Sequence, residues 1–238
     1  MNQHSSKTSA QSGDAARAGV IANLLSSDEV KADGRYVARL TGPREVDRTR
    51  YCRLRDAIAE VKAKSFIGRF MSKGDLDLME AEFNAIPLEV KWVDDIDNLI
   101  TTVGKNKILD EALAASAYTA AWYMGLISLT SYSAVAAADT MGSHAGWLEA
   151  GSGNNPTYSQ GARPTTAWSA AASGAKALSS ALSFSITSTG TAKGCFVTSV
   201  ATKDGTTGVL LSAGLFTGGD KAVANGDTLS VSYTATLT

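Results

Sequence analysis

The stretch LFTGGDKAVANGDTLSVSYTATLT, residues 215–238, decides what kind of fold the chain adopts. Apolar and small polar residues alternate along it, which is typical of a strand with one buried face. Gly-Gly-Asp at 218–220 and Asn-Gly-Asp at 225–227 are residues that tight hairpins with positive φ require. The alternation predicts a terminal strand with one apolar face, formed by Leu229, Val231, Tyr233, Ala235 and Leu237. Nothing in the stretch looks reactive, which favours a building block over a catalyst.

The sequence before this stretch continues the same pattern. Further short runs rich in β-formers or alternating residues are AWYMGLISL, TTAWSA, KALSSALSFSIT, AKGCFVTSV and GVLLSAGLF. Turn residues such as Asp204-Gly205 separate them. Short strands at this spacing predict an antiparallel β-sandwich, with jelly-roll and immunoglobulin-like topologies both open.

A change of composition near residue 100 predicts two regions. The first 100 residues hold 15 Lys/Arg, 16 Asp/Glu and 6 Gly. The remaining 138 residues hold 7 Lys/Arg, 7 Asp/Glu and 16 Gly. Apolar spacing in the first region predicts helices over 14–30, 43–70 and 74–87, with 88–93 a candidate short strand, and a further helix over 104–116. We therefore expect an α+β fold: a polar tail (1–13), a charged helical docking region (14–100) and a β-sandwich domain (101–238).

Charge and cysteine usage exclude several classes of partner. The net charge of −1 and pI near 6.1 give no overall attraction to nucleic acid or to an anionic membrane. Two distant cysteines, Cys52 and Cys195, indicate neither a disulfide framework nor a zinc module. The N-terminus lacks the apolar segment of a secretory signal. Residues 112–138 carry no charge over 27 positions, but they are rich in Ala, Ser and Thr, which favours a buried strand over a membrane span.

The sequence contains no convincing catalytic or metal-binding pattern. His144 has no nucleophile motif around it, and an ordinary loop hydrogen bond explains it better than catalysis. The acidic cluster at Asp94, Asp95 and Asp97 lacks the offsets of a calcium loop. The glycines of GSGNNP (151–156) precede no helix and no Lys-Ser/Thr pair. We predict no catalytic residue, no metal, no cofactor and no enzymatic activity.

One basic segment is a candidate docking site. Its arginines, with Arg39 nearby, are Arg44, Arg48, Arg50, Arg53 and Arg55. Interleaved acidic residues at helical spacing favour ion pairing within the helix. Three interpretations stay open: a solvated face, a charged surface that docks on a protein, and a phosphate-binding helix.

The low-charge region also carries a resemblance. The runs TTVGKNKILDEALAASAYTAAWYMGLIS (101–128), AADTMGSHAGWLE (137–149), ALSFSITSTGTAKGCFVTS (181–199) and GVLLSAGLFTGGDKAVANGDTLSVSYTATL (208–237) resemble a module of virion structural proteins of tailed bacteriophages. The resemblance covers about 137 residues, essentially everything after residue 100, and leaves the charged region outside it. It implies a particle component but no catalytic residue.

The expected function is therefore structural. The chain would be part of a tailed-phage virion, as a head decoration or cement protein or as a tail or collar accessory. It would assemble in the bacterial host cytoplasm with capsid, portal, collar or tail proteins and with copies of itself in a symmetric array. One alternative is a host glycan-binding module that uses Trp147, Tyr158 and Trp168. Others are a virion-associated hydrolase and a nucleic-acid-binding protein.

Overall fold

The computed structural model describes residues 32–63, 71–113 and 121–237. These residues form an α+β fold with a mostly antiparallel sheet. Three helices are present: α1 (Glu45–Lys62), α2 (Lys73–Asn84) and α3 (Thr102–Leu113). The strands are β1 (Ala32–Pro43), β2 (Leu88–Ile100), β3 (Tyr123–Ser128), β4 (Glu149–Ala150), β5 (Ala175–Ala177), β6 (Leu182–Ser185), β7 (Gly190–Thr198), β8 (Leu210–Phe216), β9 (Lys221–Val223) and β10 (Thr228–Leu237).

The sheet crosses the region boundary expected near residue 100. Its order is β4-β3-β7-β8-β2-β1-β10-β5, with β6 paired to β10 and β9 paired to β7. Strands β1 and β2 thus lie in the middle of the sheet, between β8 and β10. Strand β1 departs from the charged helical region expected over 14–100, whereas the candidate short strand at 88–93 is found as the first part of the longer β2. In β1 the buried residues Tyr36, Ala38 and Leu40 alternate with exposed ones. This stretch therefore has the two-residue period of a strand although it belongs to the charged region.

An extended segment, residues 164–169, closes the sheet upon itself. On one side, backbone hydrogen bonds join it to the start of β3: Met124 N to Pro164 O (3.0 Å) and Thr166 N to Trp122 O (2.7 Å). On the other side it bonds to the chain beside β5: Ser169 N to Ala177 O (2.9 Å) and Ser179 N to Ala167 O (2.8 Å). The large apolar core inside contains side chains from β1, β2, β3, β7 and β10, including Tyr36, Ile96, Leu126, Val197 and Val231.

A smaller apolar cluster covers the outer face of β3, β7 and β8. Trp147 and Met141, from the excursion between β3 and β4, pack there on Ile127, Phe196 and Ala213. This excursion therefore supplies the second layer over one half of the sheet.

The helices agree with their predicted positions where the structure describes them. The helix predicted at 43–70 is confirmed over the range of α1. The helices predicted at 74–87 and 104–116 are confirmed as α2 and α3. The predicted helix at 14–30 and the tail at 1–13 lie outside the described residues. Ser72 and Asp75 form a capping box at the start of α2. Gly104 lets α3 approach β8 closely, since a Cβ at that position would lie 2.2 Å from Leu211 O. No helix in the described ranges has both the length and the apolarity needed to cross a bilayer.

The terminal stretch is confirmed as a strand, but its turns are not tight hairpins. Leu229, Val231 and Tyr233 are buried, Ala235 is half-buried and Leu237 is exposed. Gly219 and Gly226 have the expected positive φ of 80° and 92°. The strands on either side of each glycine do not pair with each other. Around Gly219, β8 and β9 both pair with β7, and after Gly226, β10 pairs with β1. The glycines redirect the chain between strands that have other neighbours.

Candidate functional site

Most of the candidate docking arginines are engaged within the chain. Arg44 pairs with Asp47 and Arg50 with Glu82 of α2. Arg48 pairs with Glu45 and Asp227, and Arg55 with Asp56. Arg53 is exposed and forms no ion pair with any residue that the structure describes.

The inner face of α1 lies on the Asn225-Gly226-Asp227 turn. Arg48 donates to Asn225 O (2.7 Å) and to Asp227 Oδ1 (3.0 Å), and Arg55 donates to Asn225 Oδ1 (3.0 Å). Burial alone would lower the pKa of Arg48, but the hydrogen bonds and charges of Glu45 and Asp227 outweigh it, and the pKa is raised. These arginines are therefore attachment points of the helix, and only Arg44, Arg50 and Arg53 face outward.

The three aromatic residues proposed for glycan contact serve mainly as core. Trp147 is fully buried, stacks on His144 and donates its indole N–H to Asp139 Oδ2 (2.9 Å). Tyr158 is buried against Phe184, and half-buried Trp168 packs edge-on against Tyr233. The structure does not bring them together as an exposed platform.

The isolated reactive residues have ordinary structural partners. His144 Nδ1 lies 2.9 Å from Trp147 O, the loop hydrogen bond that the sequence predicts. Burial raises the pKa of the Cys195 thiol, which lies in the core and is unsuited to nucleophilic attack. Asp94 accepts hydrogen bonds from Thr217 and Gly218 and pairs with Lys221. Within residues 32–63, 71–113 and 121–237, no cluster of His, Cys, Asp and Glu is suited to a metal ion.

A buried ion pair between Glu149 and Arg163 lies at the centre of a cluster of hydrogen bonds. Arg163 donates from Nε to Glu149 Oε1 (2.9 Å) and from a terminal nitrogen to Oε2 (2.7 Å), and both side chains are almost completely buried. Glu149 Oε2 also accepts from Asp204 N (2.7 Å). Arg163 further donates to Val200 O (2.8 Å) and Gly205 O (3.2 Å). The pair thus ties β4 and the residue just before the closing segment to the connection between β7 and β8.

An open cavity of about 320 Å³ lies beside this pair. Its lining residues are His144, Leu148, Glu149, Gly153, Asn154, Asp204, Gly205 and Thr206. Three hydrogen bonds already occupy both carboxylate oxygens of Glu149, which makes it a poor general base or nucleophile. The geometry of this cluster is better suited to holding segments of the chain together than to catalysis.

Sequence reasoning missed the Glu149–Arg163 pair. The two residues are 14 positions apart in a region without regular periodicity, and their neighbours Asp204 and Gly205 belong to a distant turn. The signal available in the sequence was a lone arginine, Arg163, within a low-charge region, because an isolated cation in such a region often has a buried partner.

Comparison with known proteins adds no assignment. No protein-family model matches the chain, and no curated protein shows significant sequence similarity to it.

Proposed function

We propose that the protein is a structural component of a tailed-phage virion that docks through its α1–α2 hairpin and displays the sheet on the particle. The virion assignment rests on the resemblance of residues 101–238. The docking element rests on the exposure of the hairpin. The protein would reach the particle during assembly in the bacterial cytoplasm, with capsid, portal, collar or tail proteins as neighbours.

The hairpin has the properties of a docking appendage. None of the twelve residues of α2, all within the described part of the chain, is buried. Leu78 of α2 is 71% exposed and Val46 of α1 is 85% exposed. Large apolar side chains that remain exposed on a helical hairpin are typical of a contact surface. This exposure is the observation that carries the docking proposal.

The charges of the hairpin suit a protein neighbour better than nucleic acid. Outward-facing Arg44 and Arg50 are already paired with Asp47 and Glu82, so the surface presents both signs. Mixed charge favours orientation against a complementary protein surface, whereas phosphate binding requires free cations.

For the displayed part we propose a β-sandwich. Side chains from β3, β7 and β8 meet those from β1, β6 and β10 in one apolar core, as the facing halves of a sandwich do. Jelly-roll and immunoglobulin-like connections both stay open for this architecture.

Incorporation into particles tests the docking role. A phage whose genome encodes Val46→Asp and Leu78→Asp in this chain should carry at least about tenfold less of it per purified particle than wild type, since a buried unpaired charge costs well over 1.4 kcal/mol. Quantitative mass spectrometry of the particles measures this, with circular dichroism of the purified variant to show that it folds.

Leu129→Asp provides the control, because Leu129 is exposed but lies outside the hairpin. It should leave incorporation near the wild-type amount. Absence of the wild-type chain from purified particles would refute the virion assignment, and full incorporation of the hairpin variant would refute the docking site.

A further inference from the structure

The outer face of β1 and β2 carries an apolar stripe that no other part of the described chain covers. Five large apolar side chains on these two strands are between 37% and 55% exposed: Val37, Leu88, Val90, Val93 and Leu99. On an antiparallel sheet with one solvated face, the outer positions are normally polar. A row of exposed valines and leucines on neighbouring strands therefore indicates a contact surface.

Strand register makes these side chains neighbours. Val37 lies opposite Asp95, and Arg39 lies opposite Val93, so Val37 and Val93 are diagonal neighbours on one face. The β-bulge between Leu40 and Thr41 adds one residue to β2, which keeps Val90, opposite Thr41, on the same face as Val93. The stripe runs along β2 from Leu88, at the base of the helical hairpin, to Leu99.

The covering layer of the sheet stops at the edge of this stripe. Over β3, β7 and β8 the excursion between β3 and β4 packs Trp147 and Met141 onto the sheet. Its last contacts are near Val135 and Leu215, where an open cavity of about 330 Å³ also touches Leu99. Beyond this point β2 and β1 present their outer side chains to solvent. A second sheet packed on the uncovered half would take the place that the excursion has over the other half.

Charges on the stripe match those of a second copy of the same surface. On β1, Arg35 pairs with Asp95 of β2, while Arg39 is exposed and forms no ion pair with a described residue. The face therefore holds two cations on β1, Arg35 and Arg39, and an anion on β2, Asp95. Val37 lies between the two arginines on β1, and Val93 lies next to Asp95 on β2. A two-fold axis along the strands, between β1 and β2, would put β1 of each copy over β2 of the other. Arg39 would then lie within reach of Asp95 of the second copy, and the valines of both copies would be buried.

We infer that the outer face of β1 and β2 is a two-fold interface between copies of this chain. The inference rests on the proposed structural role, since it names the surface through which the subunits contact each other in the array. It concerns a different element from the hairpin that docks on the particle. The two can therefore fail separately.

Self-association of the purified full-length chain tests the interface. Sedimentation velocity over a concentration series should show a monomer–dimer equilibrium for wild type. Val93→Asp should raise the dissociation constant at least about 100-fold, because two-fold symmetry buries the new charge twice and each burial costs more than a tenfold change. Arg39→Glu should raise it as well, since it places like charges across the interface.

Matched controls lie on the hairpin, where the same changes should leave the dimer intact. Val46→Asp is the control for Val93→Asp, and Arg53→Glu, at an exposed arginine of α1, is the control for Arg39→Glu. A wild-type chain that stays monomeric at about 100 μM, which would put the dissociation constant of any dimer well above that concentration, would overturn the inference. So would a dimer that Val93→Asp weakens no more than Val46→Asp does.

The particle experiment separates this inference from the docking proposal. Loss of incorporation with Val46→Asp and Leu78→Asp, together with a monomeric wild-type chain, would leave docking intact and refute the two-fold interface. Cross-linking through Val93→Cys within particles should give a product of two copies of this chain, whereas a product with another virion protein would refute the inference.

Discussion

At the scale of single residues, the buried Glu149–Arg163 pair joins three separate segments of the chain. We expect Arg163→Met to lower the free energy of unfolding by about 3–5 kcal/mol, because it leaves the Glu149 carboxylate buried without its main donor. Urea denaturation followed by circular dichroism measures the change.

The double variant Glu149→Gln/Arg163→Met gives the control. It removes the uncompensated charge. Its loss of unfolding free energy should therefore be smaller than the sum of the losses of the single variants Glu149→Gln and Arg163→Met. A loss below about 1 kcal/mol for Arg163→Met would show that the pair behaves like an exposed one.

Asp94 gives a prediction about pH. Partial burial alone would raise its pKa, but Lys221, Thr217 and the Gly218 N–H outweigh burial and hold the pKa of Asp94 below its usual value. A lowered pKa in the folded state means that the carboxylate stabilises the fold at neutral pH. That contribution declines as the pH falls below the unfolded value of about 4.

Asp94→Asn should therefore lower the free energy of unfolding most at neutral pH. The difference in this free energy between variant and wild type should become smaller as the pH falls below about 4. Urea titrations at a series of pH values measure the gap. Asp110→Asn, at an exposed position of α3, is the reference for the loss of one acidic side chain. A gap for Asp94→Asn that is equal at acid and neutral pH would contradict the prediction.

At the scale of elements, Arg48 attaches α1 to the Asn225-Gly226-Asp227 turn that precedes β10. The side chain of Asp227, to which Arg48 donates, is only 1% exposed. Arg48→Leu should lower the free energy of unfolding by about 2–3 kcal/mol, since a buried carboxylate loses a charged donor. Chemical denaturation would measure it, and hydrogen exchange should show faster opening of α1.

Arg53→Leu is the matched variant for this comparison. It lies five residues further along the same helix, is exposed and has no ion pair with a described residue, so its effect should stay within about 0.5 kcal/mol. Equal effects of the two substitutions would mean that the contact with the turn contributes nothing.

The sequence predicted elements best where one signal dominated. Helix α2 has a capping box at Ser72 and ends before Pro87, and β10 alternates cleanly, so both were predictable from local pattern. In β1 the charged residues Arg35 and Arg39 occupy the outer positions of a strand, and no helix or strand was predicted for this stretch within the charged region. Its alternation of buried and exposed residues is short, and pairing with β2 and β10, which lie far away in sequence, stabilises it as a strand.

At the scale of the whole molecule, the α+β class was predictable, but the closure of the sheet was not. Residues 164–169 close it through backbone hydrogen bonds, which leave no trace in side-chain periodicity. The site was predictable to a similar degree: the arginine helix was found, whereas its internal partner Asp227 lies 179 positions from Arg48. Local sequence shows which side chains carry charge, but not which distant group meets them.

The pairing of Pro43 with Leu88 has a practical consequence for engineering this chain. These residues are cross-strand partners at the ends of β1 and β2, and everything between them is an insertion at a single hairpin junction. A short turn can bridge such a junction in an antiparallel pair. The scaffold therefore offers one position at which a different module can be grafted while both host strands keep their register, provided that the graft supplies a cation for Asp227.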